Sequence, residues 1–146
     1  MYGGDAPCAL DSWREVNAMN GKSLVVVVVD DEERATKLVR QFLAPNRCEI
    51  HEARDGSEGI EVIRGVRPDV VILDVRIPGV HGYDVCRIIK KDPDTRDAKI
   101  LVISGLMSET DRKWALDCGA DETLQKPFGA DELVGKILDM AAKEVC

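Results

Sequence analysis

The chain lacks an excess of positive charge. Its 20 Lys and Arg face 27 Asp and Glu, for a formal net charge of −7 and a pI near 4.9. A general nucleic-acid or anionic-membrane surface needs the opposite balance, so both are excluded except at a local basic patch. No apolar run approaches the ~18 residues of a membrane span. The N-terminus has no basic region followed by an apolar one, so it does not read as a secretory signal. The five cysteines (Cys8, Cys48, Cys86, Cys118, Cys146) form no CxxC pair and are odd in number. Neither a disulfide framework nor a zinc site is indicated, and a reducing cytoplasm is the expected location. Internal repeats and low-complexity segments are also missing.

What is present is a chain of 146 residues, 45% hydrophobic and 32% charged. That length and balance predict one soluble domain with a full core rather than disorder. Residues 1–22 read as an N-terminal extension, and residues 23–146 as the domain. The opening MYGGDAP is turn-like. ALDSWREVNAM can form a short helix with Leu10, Trp13 and Val16 on one side. The extension is read as a loosely ordered tail, with a packing or dimer-contact arm as the functional alternative. Met19 is a second candidate for the natural first residue.

From residue 24 strands and helices alternate. LVVVVV (24–29) is a continuous β-branched run, as expected for a strand covered on both faces. EERATKLVRQFL follows, with Ala35, Leu38, Val39, Phe42 and Leu43 spaced as the apolar side of a helix that stops before Pro45. Further strands are expected at 48–53, 69–74, 99–104 and 122–126, and further helices at 55–65, 82–91, 109–120 and 130–145. The third helix turns Val85, Ile88 and Ile89 inward, and the last turns Val134, Ile137, Leu138 and Ala141 inward. Five strands alternating with five helices predict an α/β fold, a doubly wound parallel sheet with right-handed crossovers. No room for a second domain is expected after the last helix.

The first strand runs into four carboxylates, Asp30, Asp31, Glu32 and Glu33. Crowded, desolvated acids are costly unless something neutralises them. The plain reading is that Asp31 caps the first helix, with Glu32 and Glu33 favoured by its dipole. The other strand ends are polar too: Asp74 ends the third, Ser104 the fourth and Lys126 the fifth. In open α/β sheets ligands bind at that rim. Carboxylates in a group are hard oxygen donors suited to Mg²⁺ (or Mn²⁺). A cation, an ammonium and a hydroxyl around one carboxylate make a phosphoryl-transfer environment, which works by positioning and charge neutralisation.

These residues also carry a resemblance. VVVDDEE (27–33), VVILDVRIPGVHGYDV (70–85), ILVISG (100–105) and GADETLQKPF (119–128) resemble the receiver domain of response regulators in two-component signalling, of the chemotaxis-regulator-like single-domain type. Thirty positions separate Asp74 from Ser104 and 22 separate Ser104 from Lys126, which fits the same family. The resemblance covers about residues 23–143. It implies a flavodoxin-like sheet in order 2-1-3-4-5. It implies that Asp74 is the phosphoacceptor, and that Asp30 and Asp31 hold Mg²⁺ together with Asp74 and the backbone carbonyl of Arg76. It implies that Ser104 contacts the phosphoryl group, that Lys126 pairs with it, and that Pro127 follows a cis peptide, a minority state at roughly 5% of X-Pro bonds. Without metal, repulsion is expected to raise the pKa of at least one carboxylate.

Some residues depart from the family pattern. Thr123 stands where many members carry Tyr, Phe or His, and it cannot fill the pocket such a ring occupies. The signal is therefore expected to leave by another route, the loop GLMSET after Ser104; a phospho-mimic complex that shifts only the Thr123 face would contradict this. Arg76 reads as a solvated loop arginine, with pairing to the acidic pocket or the phosphoryl group as the alternative. Ile77 replaces a common Met, a volume-conserving exchange. His51 and His81 read as surface or packing residues. Trp114 is either exposed at an interface or partly buried on the sheet.

The function expected is a phosphoacceptor switch, not a turnover enzyme. Its partners would be a sensor histidine kinase or histidine phosphotransfer protein and an unidentified protein target, with no direct nucleic-acid or membrane partner. The alternative is a phosphorylation-independent binding module that keeps the receiver fold. A Mg²⁺-dependent phosphohydrolase would need a second acid two positions after its nucleophile, where Arg76 stands. A nucleotide binder is disfavoured because DDEE replaces a Gly-rich turn.

Overall fold

The structure is a computed structural model that describes residues 23–45 and 48–145, with backbone alone for 141–145. The expected extension at 1–22, with Leu10, Trp13, Val16 and Met19, lies outside the described residues, as do Cys8, Cys146 and the side chain of Ala141. Strands β1 (Leu24–Val29), β2 (Cys48–Ala53), β3 (Val70–Asp74), β4 (Lys99–Ser104) and β5 (Glu122–Gln125) alternate with helices α1 (Glu33–Leu43), α2 (Gly56–Val66), α3 (Gly82–Lys91), α4 (Glu109–Asp117) and α5 (Ala130–Val145). The sheet is five-stranded, all parallel, in the order β2-β1-β3-β4-β5. The expected fold class is therefore observed.

Strand side chains alternate between faces, so each strand feeds two cores. Val27, Val29, Val71, Leu73, Ile100 and Val102 pack with Ile60 and Ile63 of α2, Val85 and Ile89 of α3, and Ala115 of α4. Val26, Val28, Val70, Ile72, Leu101 and Ile103 pack with Val39 and Leu43 of α1 and with Leu133, Ile137 and Met140 of α5. A fully buried Ile or Leu contributes about 1.5–3 kcal/mol. Two such layers explain why the central strands read as unbroken apolar runs rather than alternating ones.

Three expectations about elements are corrected. Leu38 is 40% exposed, and Thr36 is buried in its stead; Leu38 lines a groove of about 200 Å³ shared with Ala35, Lys126, Pro127 and Phe128. Helix α4 ends at Asp117 rather than at 120, because Gly119 takes a left-handed conformation, φ +105°. Strand β5 ends at Gln125, one residue before Lys126. No helix among the described residues is long and apolar enough to cross a membrane.

Candidate functional site

The carboxyl ends of β1, β3, β4 and β5 meet at one rim. Asp30 directly follows β1, and its N–H donates to the Ala53 carbonyl at 3.0 Å, which extends the β1–β2 ladder by one residue. Asp74 is the last residue of β3. Its placement is reinforced by Gly82, whose N–H donates to Val75 O at 3.3 Å. A Cβ on Gly82 would come within 2.8 Å of Val75 Cα and 2.9 Å of Asp74 O. Only glycine lets the start of α3 lie this close to the backbone around Asp74.

Both aspartates are buried, Asp30 to 2% exposure and Asp74 to 6%. Lys126 bridges them. Its Nζ lies 2.8 Å from Asp74 Oδ2 and 3.1 Å from Asp30 Oδ2, with Glu32 Oε1 at 3.7 Å. The other carboxylate oxygens accept backbone donors: Glu32 N–H to Asp30 Oδ1 and Arg76 N–H to Asp74 Oδ1, each at 2.9 Å. Ser104, buried at the end of β4, accepts the Leu106 N–H on its Oγ at 3.2 Å, which leaves the hydroxyl proton available. The Lys126 N–H donates to the Ser104 carbonyl at 2.8 Å, and the Lys126–Pro127 peptide is cis.

The structure thus brings Asp30, Asp74, Ser104 and Lys126 to one place. Arg76 is exposed and enters the site through its backbone. Asp31 is exposed and makes no ion pair among the described residues. The carboxylate that joins the cluster is Glu32: one oxygen each from Asp30, Glu32 and Asp74 lie within 4.8 Å of one another. The run DDEE carried that signal, but Glu32 reads from the sequence as a dipole-favoured acid. The cap of α1 falls on Glu32, with no side-chain cap hydrogen bond, so Asp31 is not the cap.

The electrostatics follow from burial. The Asp30 pKa is raised chiefly by desolvation; the hydrogen bond from Glu32 N–H opposes this, and the Asp74 charge adds to it. Repulsion is therefore a lesser cause than burial. For Lys126 burial works against the charge, but hydrogen bonds to Asp74 and Asp30 outweigh it and raise its pKa. Three carboxylates face one ammonium, so the site keeps surplus negative charge and hard oxygen donors. That donor set fits a small divalent cation. Such a place can hold an anionic group only if its charge is offset, which is the requirement of phosphoryl transfer.

Residues 26–138 match the family model described as the response regulator receiver domain. The chain belongs to this family. The receiver domain is 38% identical over 112 residues to the response regulator MprA of Mycolicibacterium vanbaalenii, covering 77% of this chain and 48% of that protein. This receiver domain thus spans about half the length of the curated relatives it matches. It superposes on the response regulator domain of Thermotoga maritima CheB with a TM-score of 0.75 at 25% identity, covering 83% of this chain and 98% of that one. The signal receiver domain of a signal transduction histidine kinase from Syntrophus aciditrophicus gives a TM-score of 0.75 at 26% identity, covering 83% and 92%.

Two other residues named from the sequence find roles here. His81 caps α3, accepting the Tyr83 N–H on Nδ1 at 3.2 Å. Thr123 is buried within β5, paired in register with Val102.

Proposed function

We propose that this receiver domain is a phosphoacceptor switch in which Asp74 takes a phosphoryl group from a phosphohistidine. The donor would be a sensor histidine kinase or a histidine phosphotransfer protein. An Asp74 carboxylate oxygen attacks phosphorus, the P–N bond to the imidazole breaks, and the imidazole keeps the electron pair and picks up a proton. The product is an acyl phosphate on Asp74, which water later hydrolyses. The observation that carries this reading is the Lys126 ammonium held at 2.8 Å from Asp74 Oδ2 and 3.1 Å from Asp30 Oδ2. That ammonium can follow the charge from the carboxylate to the phosphoryl oxygens.

Asp30, Asp31, Asp74 and the Arg76 carbonyl would hold Mg²⁺ or Mn²⁺. The cation would supply neutralisation of the phosphoryl oxygens. Ser104 would donate its hydroxyl proton to one of those oxygens. The domain promotes its own phosphorylation and dephosphorylation without turnover of a separate substrate. Output would pass to an unidentified protein target by contact, without direct nucleic-acid or membrane binding. A cytoplasmic location accords with the scattered thiols. Residues 23–146 would form the receiver unit and 1–22 an extension to it.

Intact mass after incubation with acetyl phosphate and Mg²⁺ tests the reading. One phosphoryl adduct is expected in the wild type, and none in Asp74→Asn or with EDTA. An adduct that persists in Asp74→Asn overturns it.

A further inference from the structure

Thr123 is 5% exposed and fixed in the β4–β5 ladder. Its side chain has no ring to move when the site changes state. The loop after Ser104 must then act through something else. Leu106 is 64% exposed, whereas Met107, the next residue, is buried in the core beneath α3 and α4. Ser108 then starts α4 with a reciprocal capping box: its Oγ accepts the Asp111 N–H, and the Asp111 carboxylate accepts the Ser108 N–H. Only three residues, Gly105, Leu106 and Met107, join Ser104 to that cap. A shift of Ser104 is therefore passed to the first turn of α4 with little slack.

That first turn is tied back to α3 by Tyr83. The Tyr83 hydroxyl donates to the Asp111 carbonyl at 3.4 Å. Its ring is half-buried against the same core that holds Met107. Tyr83 also follows Gly82, which rests on the backbone of Asp74 and Val75. Lys126 completes a ring, its N–H on the Ser104 carbonyl and its Nζ on Asp74: Asp74, Gly82, Tyr83, Asp111, Ser108, Leu106, Ser104, Lys126.

We propose that Tyr83 is the latch of this ring, holding α4 in its resting position, and that occupancy of Asp74 is transmitted through the junction of α3 and α4. The inference deepens the phosphoacceptor reading and rests on it. When Ser104 closes on an anion at Asp74, the loop draws on α4 and the Tyr83–Asp111 hydrogen bond is given up. The contact thus opposes activation, and removing it shifts the population toward the active arrangement.

Tyr83→Phe keeps the ring and deletes the donor. Two readouts decide the matter, with Thr123→Ala alongside. In the resting protein, hydrogen exchange at residues 109–112 should quicken by roughly threefold in Tyr83→Phe, the scale of one weak net hydrogen bond, with the β1 amides unchanged as a control for folding. Beryllofluoride with Mg²⁺ should half-saturate at roughly threefold lower concentration in Tyr83→Phe. Thr123→Ala should move neither. Unchanged exchange and unchanged half-saturation in Tyr83→Phe overturn the latch, as does a response confined to Thr123→Ala. A wild type that binds no beryllofluoride overturns the phosphoacceptor reading itself, and the resting-state exchange still reports whether the contact exists.

Discussion

At the scale of single residues, the site is a balance between buried charge and its compensation. Lys126 offsets two buried carboxylates, and removing it strands both. Lys126→Met should lower stability in EDTA by about 2–4 kcal/mol, measured by urea unfolding, because breaking one partner of a buried ion pair leaves uncompensated charge. Mg²⁺ should then raise the melting temperature more in the variant than in the wild type, since a cation replaces the lost neutralisation. Equal Mg²⁺ effects would argue against a cation at this place. Asp31 and Glu32 present a sharper contrast. Glu32 shares its charge with Lys126 at 3.7 Å, whereas Asp31 has no ion-pair partner among the described residues. The unshared charge is the better one for a cation. Asp31→Asn should therefore weaken Mg²⁺ binding by roughly tenfold, and Glu32→Gln by clearly less, in a calorimetric titration. The reverse order would place the cation on the grouped carboxylates Asp30, Glu32 and Asp74.

At the scale of elements, the start of α4 is the best-defined local device, and it was only partly legible in the sequence. Ser108 and Asp111 stand at capping-box spacing, but the helix expected at 109–120 does not rest on that cap. The capping hydrogen bonds from Ser108 N–H and hydroxyl hold the Asp111 carboxyl below its ordinary value of 3.8, with the Arg76 charge adding to them. A folded-state pKa lower than the unfolded one stabilises the fold where the group is ionised in both states. The contribution is present above about pH 3.8 and is lost as pH falls further. Asp111→Ala should accordingly shift the urea midpoint down at neutral pH, and the gap to wild type should narrow below pH 3.8. A gap that stays constant through that window would mean the carboxylate charge plays no part. Leu38 shows the limit of periodicity. Its spacing puts it on the apolar side of α1, yet it is 40% exposed on a groove that Pro127 and Phe128, after β5, also line. No pattern within one helix encodes where another element stops.

At the scale of the whole molecule, legibility was high because the signals were redundant. The central strands are apolar runs rich in β-branched residues, the helices that cover them bury apolar residues, and polar groups that the chemistry needs stand at the ends of β1, β3 and β4 and just after β5. Alternation alone predicted a parallel α/β sheet; the order 2-1-3-4-5 came from the motif resemblance and is observed. Of the site, Asp30, Asp74, Ser104 and Lys126 are brought together as expected. What the sequence did not signal is that Glu32 groups with Asp30 and Asp74, since neighbouring acids at a strand–helix junction differ only in how the turn aims them. Thr123 is buried within β5, and the tie from Tyr83 to α4 depends on two helices meeting and has no local signal.

On the proposed function, Asp74 itself carries the phosphoryl group. The most direct test is to treat the acetyl phosphate-labelled protein with borohydride, which reduces an acyl phosphate to the alcohol, and to map the product by peptide sequencing in a mass spectrometer. Homoserine at position 74 in labelled protein alone is the predicted result. Reduction at Asp30, Asp31 or Glu32, or a stable phosphate on Ser104 with Asp74 unmodified, would contradict it.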